Sequence, residues 1–267
     1  MSDGRGNMDQ IYAEKEGPIG WVVFNRPEVR NAVSLEIWEA IPAIMEDLSN
    51  DSQVRVAVIR GAGEEAFISG ADISQFKERR SNMAQQKEYA AASGRGSASL
   101  ATFDKPLVAM IHGFCIGGGC GIAVGCDLRI ASEEAKFGIT AGRLGLAYEM
   151  GGVEKLVALV GPAYAKEILM TARIFGAQEA LRMGLVNQVT SKAELESYTR
   201  EYCLRIAQNA PLTVKCAKRT VEECLKEPPQ RDLEMINVMV AQCFDSEDYQ
   251  EGIRAFMEKR RPNFQGR

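Results

Sequence analysis

The chain has 267 residues, a hydrophobic content of 46% and a formal net charge of −4 at pH 7, with an isoelectric point near 5.4. This length fits one large domain, or one domain with a small appendage, and the apolar content is sufficient for a hydrophobic core. The acidic balance argues against nucleic acid as the main partner, because proteins that bind phosphate backbones carry a basic surplus.

The N-terminal residues Met1–Gln10 are polar and lack the apolar region of a signal peptide, and we expect residues 1–10 to be disordered. No later run approaches the ~20 apolar residues of a membrane span. The seven cysteines form no C-x-x-C pair, which indicates neither a disulfide framework nor a structural zinc site. We therefore expect a soluble cytoplasmic protein in which Cys115, Cys120 and Cys126 act as small buried hydrophobes.

The first elements of the chain predict strands separated by helices. Alternation around Ile19–Phe24 predicts a strand of an initial hairpin, which ends before Pro27 because proline cannot continue a ladder. Ser34 is predicted to cap a helix that contains Pro42 and is kinked there. Two short apolar runs are typical of strands buried on both faces, and they predict βα units: Val54–Ile59 and Leu107–Ile111.

The rest of the chain becomes progressively helical. Residues 81–103 predict a helix, and Leu128–Ala131 predicts a further strand. From Val153 onwards the pattern is mostly helical, and only Leu185–Val189 is strand-like. These patterns predict an α/β core followed by a helical appendage, with a boundary near residue 195.

Two glycine-rich turns are the most informative feature of the sequence. They are Phe67–Asp72 and Ile116–Gly121, and each follows an apolar run with β propensity and precedes a helical one. Such turns leave bare backbone N–H groups at a helix N-terminus, where negative charge is stabilised. Two of them could together hold an oxyanion, which indicates carbonyl chemistry.

Other motifs predict different sites but fit poorly. Gly61–Ala66 matches the dinucleotide fingerprint G-x-G-x-x-A, but Glu64 and Glu65 would occupy the place of a pyrophosphate. The glycines of 117–121 lack the Lys-Ser/Thr pair of a P-loop. The single histidine, His112, excludes multi-histidine metal sites, and at the end of a buried strand we interpret it as a packed residue rather than a catalytic base.

Six segments, taken in order, carry a resemblance that covers nearly the whole chain: Asn25–Ala32, Ala66–Ile73, His112–Ala131, Ala135–Gly138, Thr171–Val186 and Phe256–Phe264. In this order they resemble the crotonase, or enoyl-CoA hydratase/isomerase, superfamily. The resemblance implies a crotonase-like spiral β/β/α core over residues 1–195 and a C-terminal helical trimerisation region over 196–267, often assembled as a dimer of trimers.

The resemblance also implies a site. The substrate would be an acyl-CoA thioester, with its oxygen held by the backbone N–H groups of Ala71 and Gly118. Coenzyme A would be part of that substrate, and neither a separate cofactor nor a metal is expected. For the glycines, close helix–strand packing is a second interpretation compatible with the first.

Further residues are implied as substrate contacts. Backbone groups around Ala66, Ile68 and Ile73 would meet the adenine and pantetheine, with Arg30 near the CoA entrance. Lys259 would meet a CoA phosphate, across a subunit interface in one arrangement, or remain an ordinary solvated lysine. The remaining expected contacts line the turns and the acyl pocket: Gly70, Asp72, Gly117, Ala141 and Tyr148. For Asp72 we favour a helix cap over catalysis.

The sequence departs from the hydratase pattern at the acid/base positions. Hydratases of this family use two glutamates, and the corresponding positions here are Gly121 and Ala141, which cannot transfer a proton. Glu149 lies where the isomerase and dehalogenase branches carry a carboxylate, although a solvent-facing loop glutamate is an equal alternative. Tyr148 beside it is interpreted as lining the pocket.

These observations lead to three hypotheses. The first is an enoyl-CoA double-bond isomerase, or an enzyme of related enolate chemistry, with Glu149 as acid/base. The second is an enoyl-CoA hydratase that works by a non-standard route. The third is a CoA-thioester-binding protein with little or no catalysis, which the absent glutamates would equally permit.

Overall fold

Two β-sheets and the helices around them form the fold in the computed structural model, which describes residues 10–72, 83–148 and 150–267. The larger sheet has the strand order β1-β2-β3-β5-β7-β10, and the smaller has the order β4-β6-β8-β9. The strands are β1 Ile11–Glu16, β2 Ile19–Phe24, β3 Val56–Gly61, β4 Ala66–Ile68, β5 Leu107–Ile111, β6 Phe114–Ile116, β7 Leu128–Ser132, β8 Lys136–Gly138, β9 Phe175–Gly176 and β10 Gln188–Thr190.

The α-helices are α1 Leu35–Asn50, α2 Met83–Ala101, α3 Gly118–Gly125, α4 Met150–Thr171, α5 Ala177–Arg182, α6 Leu195–Ala207, α7 Pro211–Cys224, α8 Leu233–Asp245 and α9 Glu247–Met257. Short 3₁₀ helices cover Pro27–Val29, Ala141–Leu144, Lys192–Glu194 and Pro228–Gln230. Helix α4 is interrupted at Gly161, where φ is 73° and ψ is 166°. The predicted disorder of residues 1–10 falls, except for Gln10, outside the described residues.

The strand pairing follows the apolar patterns of the sequence. Strands β1 and β2 form the predicted antiparallel hairpin, and the next neighbours in the larger sheet, from β2 to β10, pair in parallel. Ser34 caps α1 as predicted, because its hydroxyl accepts a hydrogen bond from the Ile37 amide at 3.3 Å. Parallel strands have both faces covered, which accounts for the continuous apolar runs.

Two predicted strands are displaced from their observed positions. The strand predicted at Val54–Ile59 starts two residues later, because the Val54 amide closes a turn onto the Asp51 carbonyl. The strand predicted at Leu185–Val189 is observed at Gln188–Thr190, because the Leu185 amide donates a hydrogen bond to the Ala180 carbonyl behind α5. In both cases a local turn takes the backbone hydrogen bond that a strand would need.

The larger sheet has a hydrophobic cluster on each face. One face, which includes Phe24 and Ile59, joins α1 and the smaller sheet in the main core. The other face, with Trp21 and Val58, is covered by Leu195 and Cys203 of α6. Helix α6 therefore packs on the sheet although it starts at the predicted boundary, and the division of the chain at residue 195 stays a prediction.

The helices α7–α9 carry apolar side chains on the surface of the chain. The exposed residues include Val221, Leu233, Phe244, Phe256 and Met257. The mixed α/β class with parallel strands and a helical C-terminal region is confirmed. In the described part of the chain, no helix has the length and apolarity that crossing a membrane requires.

Candidate oxyanion site

The two glycine-rich turns leave the smaller sheet side by side. Strands β4 and β6 are parallel neighbours, with Ile68 opposite Cys115 in their register. Their carboxyl ends therefore lie at the same edge of the sheet. The turn after β4 contains Gly70 and the turn after β6 contains Gly117, so the topology places the two turns next to each other.

The backbones of these turns approach closely. Gly70 and Gly117 have φ values of 116° and 55°, a conformation that glycine adopts without the strain of a side chain. A Cβ added to Gly70 would lie 3.8 Å from the Gly118 amide nitrogen, and one added to Gly118 would lie 3.7 Å from the Ala71 amide nitrogen. The structure thus brings the two predicted oxyanion donors together.

Both donor N–H groups are available. In a short parallel bridge, the Val33 amide donates to Gly70 and the Asp72 amide donates to Val33, which leaves the Ala71 amide outside the ladder. Gly118 is the first residue of α3, where N–H groups have no partner within the helix. Among the residues that the structure describes, neither N–H donates a hydrogen bond. Two such donors can bind one oxygen atom that gains negative charge.

Packing positions the helix that carries Gly118. Gly119 is buried, and a Cβ on it would lie 2.1 Å from the Ile68 carbonyl oxygen. Gly113, in the turn before β6, is equally constrained, since its Cβ would lie 1.8 Å from the Glu65 carbonyl oxygen. Only glycine permits these approaches. The packing interpretation therefore accounts for Gly113 and Gly119, whereas Gly118 makes no contact of this kind.

The positions that correspond to the hydratase glutamates carry no ionisable side chain. Gly121 lies one helical turn after Gly118, is exposed, and has nothing within 4 Å of an added Cβ. Ala141 is half-buried at the start of a 3₁₀ helix. The chain therefore has room for a side chain at Gly121 but no proton-transferring group there.

Tyr148 packs against the main core, and burial raises the pKa of its hydroxyl. A Cβ on Gly152 would lie 3.6 Å from its ring, so Tyr148 sits against the first turn of α4. The structure thus gives Tyr148 a packed, apolar setting. Glu149, the predicted acid/base, lies outside the described residues, and its role stays a prediction.

Asp72 forms an ion pair that the sequence analysis did not anticipate. Its carboxylate accepts a hydrogen bond from Arg26 Nη1 at 2.9 Å, and its side chain is 8% exposed. Asn31 also ties this region together, because its Nδ2 donates to the carbonyl oxygens of Ala62 at 2.9 Å and Ala66 at 2.8 Å. Arg26 and Asn31 both lie in Asn25–Ala32, the first segment of the family resemblance, and that segment is the sequence feature that could have identified them. The helix that Asp72 was predicted to cap falls outside the described residues.

The predicted CoA contacts are distributed over the chain. Arg30 is paired with Glu65 at 2.9 Å and lies over the Phe114 ring at 5.1 Å, at the beginning of β4 and β6. Ala66 and Ile68 are buried in β4, whereas Ile73 lies outside the described residues. Lys259 is exposed directly after α9, and no described contact links it to the two turns. These binding roles stay predictions.

The single histidine is part of the packing. His112 is 7% exposed, and its carbonyl accepts a hydrogen bond from the Phe67 amide at 2.7 Å. Burial lowers the pKa of its imidazole, and the charges of Lys192 and Arg60 lower it further. Cys115, Cys120 and Cys126 are also buried, and burial raises the pKa of the Cys126 thiol to about 12. Among the described residues, no cluster of His, Cys, Asp and Glu could hold a metal ion.

Comparisons with known proteins match over nearly the full length. The family model described as Enoyl-CoA hydratase/isomerase matches residues 14–267. The chain is 35% identical to the short-chain-enoyl-CoA hydratase of Clostridium acetobutylicum over 95% of this chain and 97% of that protein. It is also 35% identical to the crotonyl-CoA hydratase of Syntrophomonas wolfei, with 96% and 98% covered.

Solved structures agree with the sequence relatives. An enoyl-CoA hydratase/carnithine racemase from Magnetospirillum magneticum superposes with a TM-score of 0.93 at 33% identity, with 97% of each chain covered. An enoyl-CoA hydratase/isomerase family protein from Hyphomonas neptunium superposes with a TM-score of 0.92 at 34% identity, with 97% of this chain and 98% of that chain covered. The similarity therefore extends over the core and the C-terminal helices.

Proposed function

The chain belongs to the enoyl-CoA hydratase/isomerase (crotonase) family of acyl-CoA enzymes, and from this premise we propose that it stabilises a thioester enolate between the N–H groups of Ala71 and Gly118. The predicted family and crotonase-like fold are confirmed. The observation that supports the proposed site is the close approach of two turns whose Ala71 and Gly118 N–H groups donate no hydrogen bond within the described residues. Each donor of such a hole contributes about 3 kcal/mol to transition-state stabilisation.

The proposed reaction is double-bond isomerisation or a related enolate reaction. A base takes a proton from C2 of a 3-enoyl-CoA, the charge moves onto the thioester oxygen, and the same group returns the proton to C4. Glu149 is the proposed base, by its place in the sequence beside Tyr148, and one carboxylate suffices for this transfer. Gly121 and Ala141 support this choice, because standard hydration uses carboxylates at both positions. Coenzyme A is part of the substrate, so the reaction needs no separate cofactor.

Hydration is the second candidate, and the names of the relatives favour it. The relatives include a short-chain-enoyl-CoA hydratase, a crotonyl-CoA hydratase and the (E)-benzylidenesuccinyl-CoA hydratase of Thauera aromatica. If this chain hydrates 2-enoyl-CoA, another group must activate the water. The same oxyanion hole would serve both reactions, because both develop charge on the thioester oxygen.

A product screen over 2-enoyl- and 3-enoyl-CoA thioesters separates the candidates. We expect 3-enoyl-CoA to be converted to 2-enoyl-CoA, with at least a hundredfold loss of rate in Glu149→Gln. Glu154→Gln, which changes an exposed glutamate of α4, is the matched control and should retain the wild-type rate. An intact rate in Glu149→Gln contradicts the assigned base. A 3-hydroxyacyl-CoA product establishes hydration instead, and a raised melting temperature without turnover establishes a binding protein.

The assembly is a further part of the proposal. The helices α7–α9 border an apolar groove of about 960 Å³, next to exposed side chains such as Phe256, which is 82% exposed. Exposed apolar patches of this kind mark interaction sites. Together with the family resemblance, they support a homotrimer or a dimer of trimers. Light scattering should give three or six times the chain mass of 29.3 kDa, and Phe256→Asp should lower it. A monomeric wild-type protein at micromolar concentration contradicts this assembly.

A further inference from the structure

Arg129 is a buried arginine to which neither the fold nor the proposed reaction assigns a task. It lies in β7, between β5 and β10 in the larger sheet, and is 3% exposed. Its guanidinium donates to the carbonyl oxygens of Cys126 at 2.6 Å, Leu185 at 2.7 Å, Ala123 at 3.4 Å and Asp127 at 3.4 Å. In the described part of the chain, all of its side-chain partners are therefore backbone carbonyls.

A buried cation without a paired carboxylate is costly, and its surroundings must compensate for it. Within the described ranges, the carboxylate whose charge acts on Arg129 is that of Asp127, and it is hydrogen-bonded to Lys218 and to the Leu107 amide. Compensation comes instead from the C-terminal end of α3, since Ala123 lies in its last turn and Cys126 directly follows it. That end carries partial negative charge, which favours a cation. The carbonyls at the end of α3 thus stabilise the buried Arg129 side chain, and Arg129 in turn fixes the position of that helix end.

The opposite end of the same helix carries Gly118. Helix α3 has only eight residues, so its two ends lie about 12 Å apart and move together. At the N-terminal end, Gly119 rests on Ile68 of β4. At the C-terminal end, Arg129 connects the helix to β7, whose backbone at this residue exchanges hydrogen bonds with Asn187. Gly119 and Arg129 consequently constrain the two ends of the helix, and with them the direction of the Gly118 N–H bond.

The positive charge of Arg129 also favours an oxyanion at the Gly118 end of the helix. A cation at the C-terminal carbonyls offsets the partial negative charge at that end of the helix. The partial positive charge at the N-terminal end therefore stabilises the oxyanion more strongly. Lys155 adds a second cation at this end, because its Nζ lies 3.9 Å from the position of a Cβ on Gly125. The buried environment reduces screening of Arg129 by water.

We propose that Arg129 is a positioning residue for the oxyanion hole: it fixes the C-terminal end of α3 and thereby aims and strengthens the Gly118 N–H donor. The inference rests on the proposed function, since it requires Gly118 to bind the thioester oxygen. It extends the site by a residue that touches no substrate and lies at the other end of the helix.

The test measures the thioester carbonyl itself. Butyryl-CoA labelled with ¹³C at the thioester carbonyl has no double bond to process, and its C=O stretching frequency falls when hydrogen bonds polarise the carbonyl. Isotope-edited infrared spectra are recorded for the wild type, Arg129→Lys and Arg129→Met. We expect the frequency of bound ligand to move towards that of free butyryl-CoA in both variants. With a processed substrate, kcat should fall on the order of tenfold with KM nearly unchanged, less than the 10²–10³ for a lost donor.

Arg129→Lys keeps the charge and loses the planar fork, so it carries the test if Arg129→Met does not fold. Arg60→Lys is the matched control, because Arg60 lies in the neighbouring part of the same sheet and packs on Trp21 instead. It should leave the frequency unchanged. A wild-type frequency and kcat in folded Arg129→Lys overturn the inference while leaving the proposed function intact. A wild-type complex with the frequency of free butyryl-CoA overturns the proposed oxyanion hole itself.

Discussion

The two sides of helix α3 differ in what determines their residues. On the packed side, which we define as Gly113 and Gly119 with their contacts to β4, an added Cβ would approach a backbone oxygen to 1.8 Å and 2.1 Å. On the open side, defined as Gly118 and Gly121, the approaches are ordinary at Gly118 and empty at Gly121. Packing therefore requires glycine at positions 113 and 119, but it does not require glycine at positions 118 and 121.

This difference indicates how one fold can serve several reactions. The packed side holds the turns in place, and the two donors are backbone N–H groups, so they do not depend on the side chains at positions 71 and 118 themselves. Acid/base residues on the open side can be substituted with little loss of stability. Residues of the packed side should therefore affect stability, and residues of the open side should affect chemistry.

The largest expected effect comes from removing a donor on the open side. In Gly118→Pro the N–H is lost, while proline is tolerated at the first position of a helix. We expect kcat to fall by about 10²–10³, with the melting temperature nearly unchanged. Gly118→Ala keeps the N–H, and its methyl group makes an ordinary 3.7 Å contact, so its loss should be much smaller. Equal activity in Gly118→Pro and wild type would remove Gly118 from the site.

The second prediction compares two glycines of the same helix. Gly119→Ala should destabilise the protein by about 3 kcal/mol, because its methyl group meets the Ile68 carbonyl and the backbone must shift. Gly121→Ala should stabilise it by up to about 1 kcal/mol, since alanine favours the helix and meets no atom. Urea unfolding at one fixed protein concentration measures both. Similar values for the two variants contradict the distinction between the sides.

The open side should also accept new chemistry. Gly121→Glu combined with Ala141→Glu places carboxylates at the two hydratase positions, and Gly121 offers free space for one of them. Hydration of 2-enoyl-CoA should rise about a hundredfold, as general acid–base catalysis permits. The matched Gln/Gln variant has the same shape without the protons and should stay at the wild-type rate. Equal hydration by both variants would mean that this chain does not use these positions for proton transfer.

The sequence predicted much of the packed framework, whereas the acid/base group stays a prediction. Continuous apolar runs located the parallel strands. The turns after β4 and β6 lie next to each other because those two strands are neighbours in the smaller sheet. The four glycines 117–119 and 121 have the same residue type, however, and only three-dimensional packing distinguishes Gly119 from Gly121. Arg129 lay in a run predicted as a strand, and nothing local indicated that its side chain would reach the end of α3. The contact of Gly119 with Ile68, which is distant in sequence, accounts for the first gap. The second depends on how the chain turns between α3 and β7, because Arg129 bonds the carbonyls of Ala123 and Cys126 shortly before it.

The smallest expected effect tests the packed side through pH. His112 precedes Gly113, its pKa is lowered by burial, and the charges of Lys192 and Arg60 lower it further, against the opposing influence of Glu64. As the pH falls below about 6.5, the unfolded chain binds a proton before the folded chain does. Stability should therefore fall with decreasing pH from about 7 until the folded imidazole also titrates, and it should not change above pH 7.5 on this account.

The chain has one histidine, so this contribution can be isolated. Urea unfolding between pH 5 and 7.5, compared between wild type and His112→Asn, should show a slope that is reduced in the variant, and the imidazole resonance should titrate below its usual range. Gly118→Pro, as an open-side control, should keep the wild-type slope. The same slope in His112→Asn and wild type would mean that the buried imidazole does not link the packed side to pH, and that carboxylates elsewhere account for the acid sensitivity.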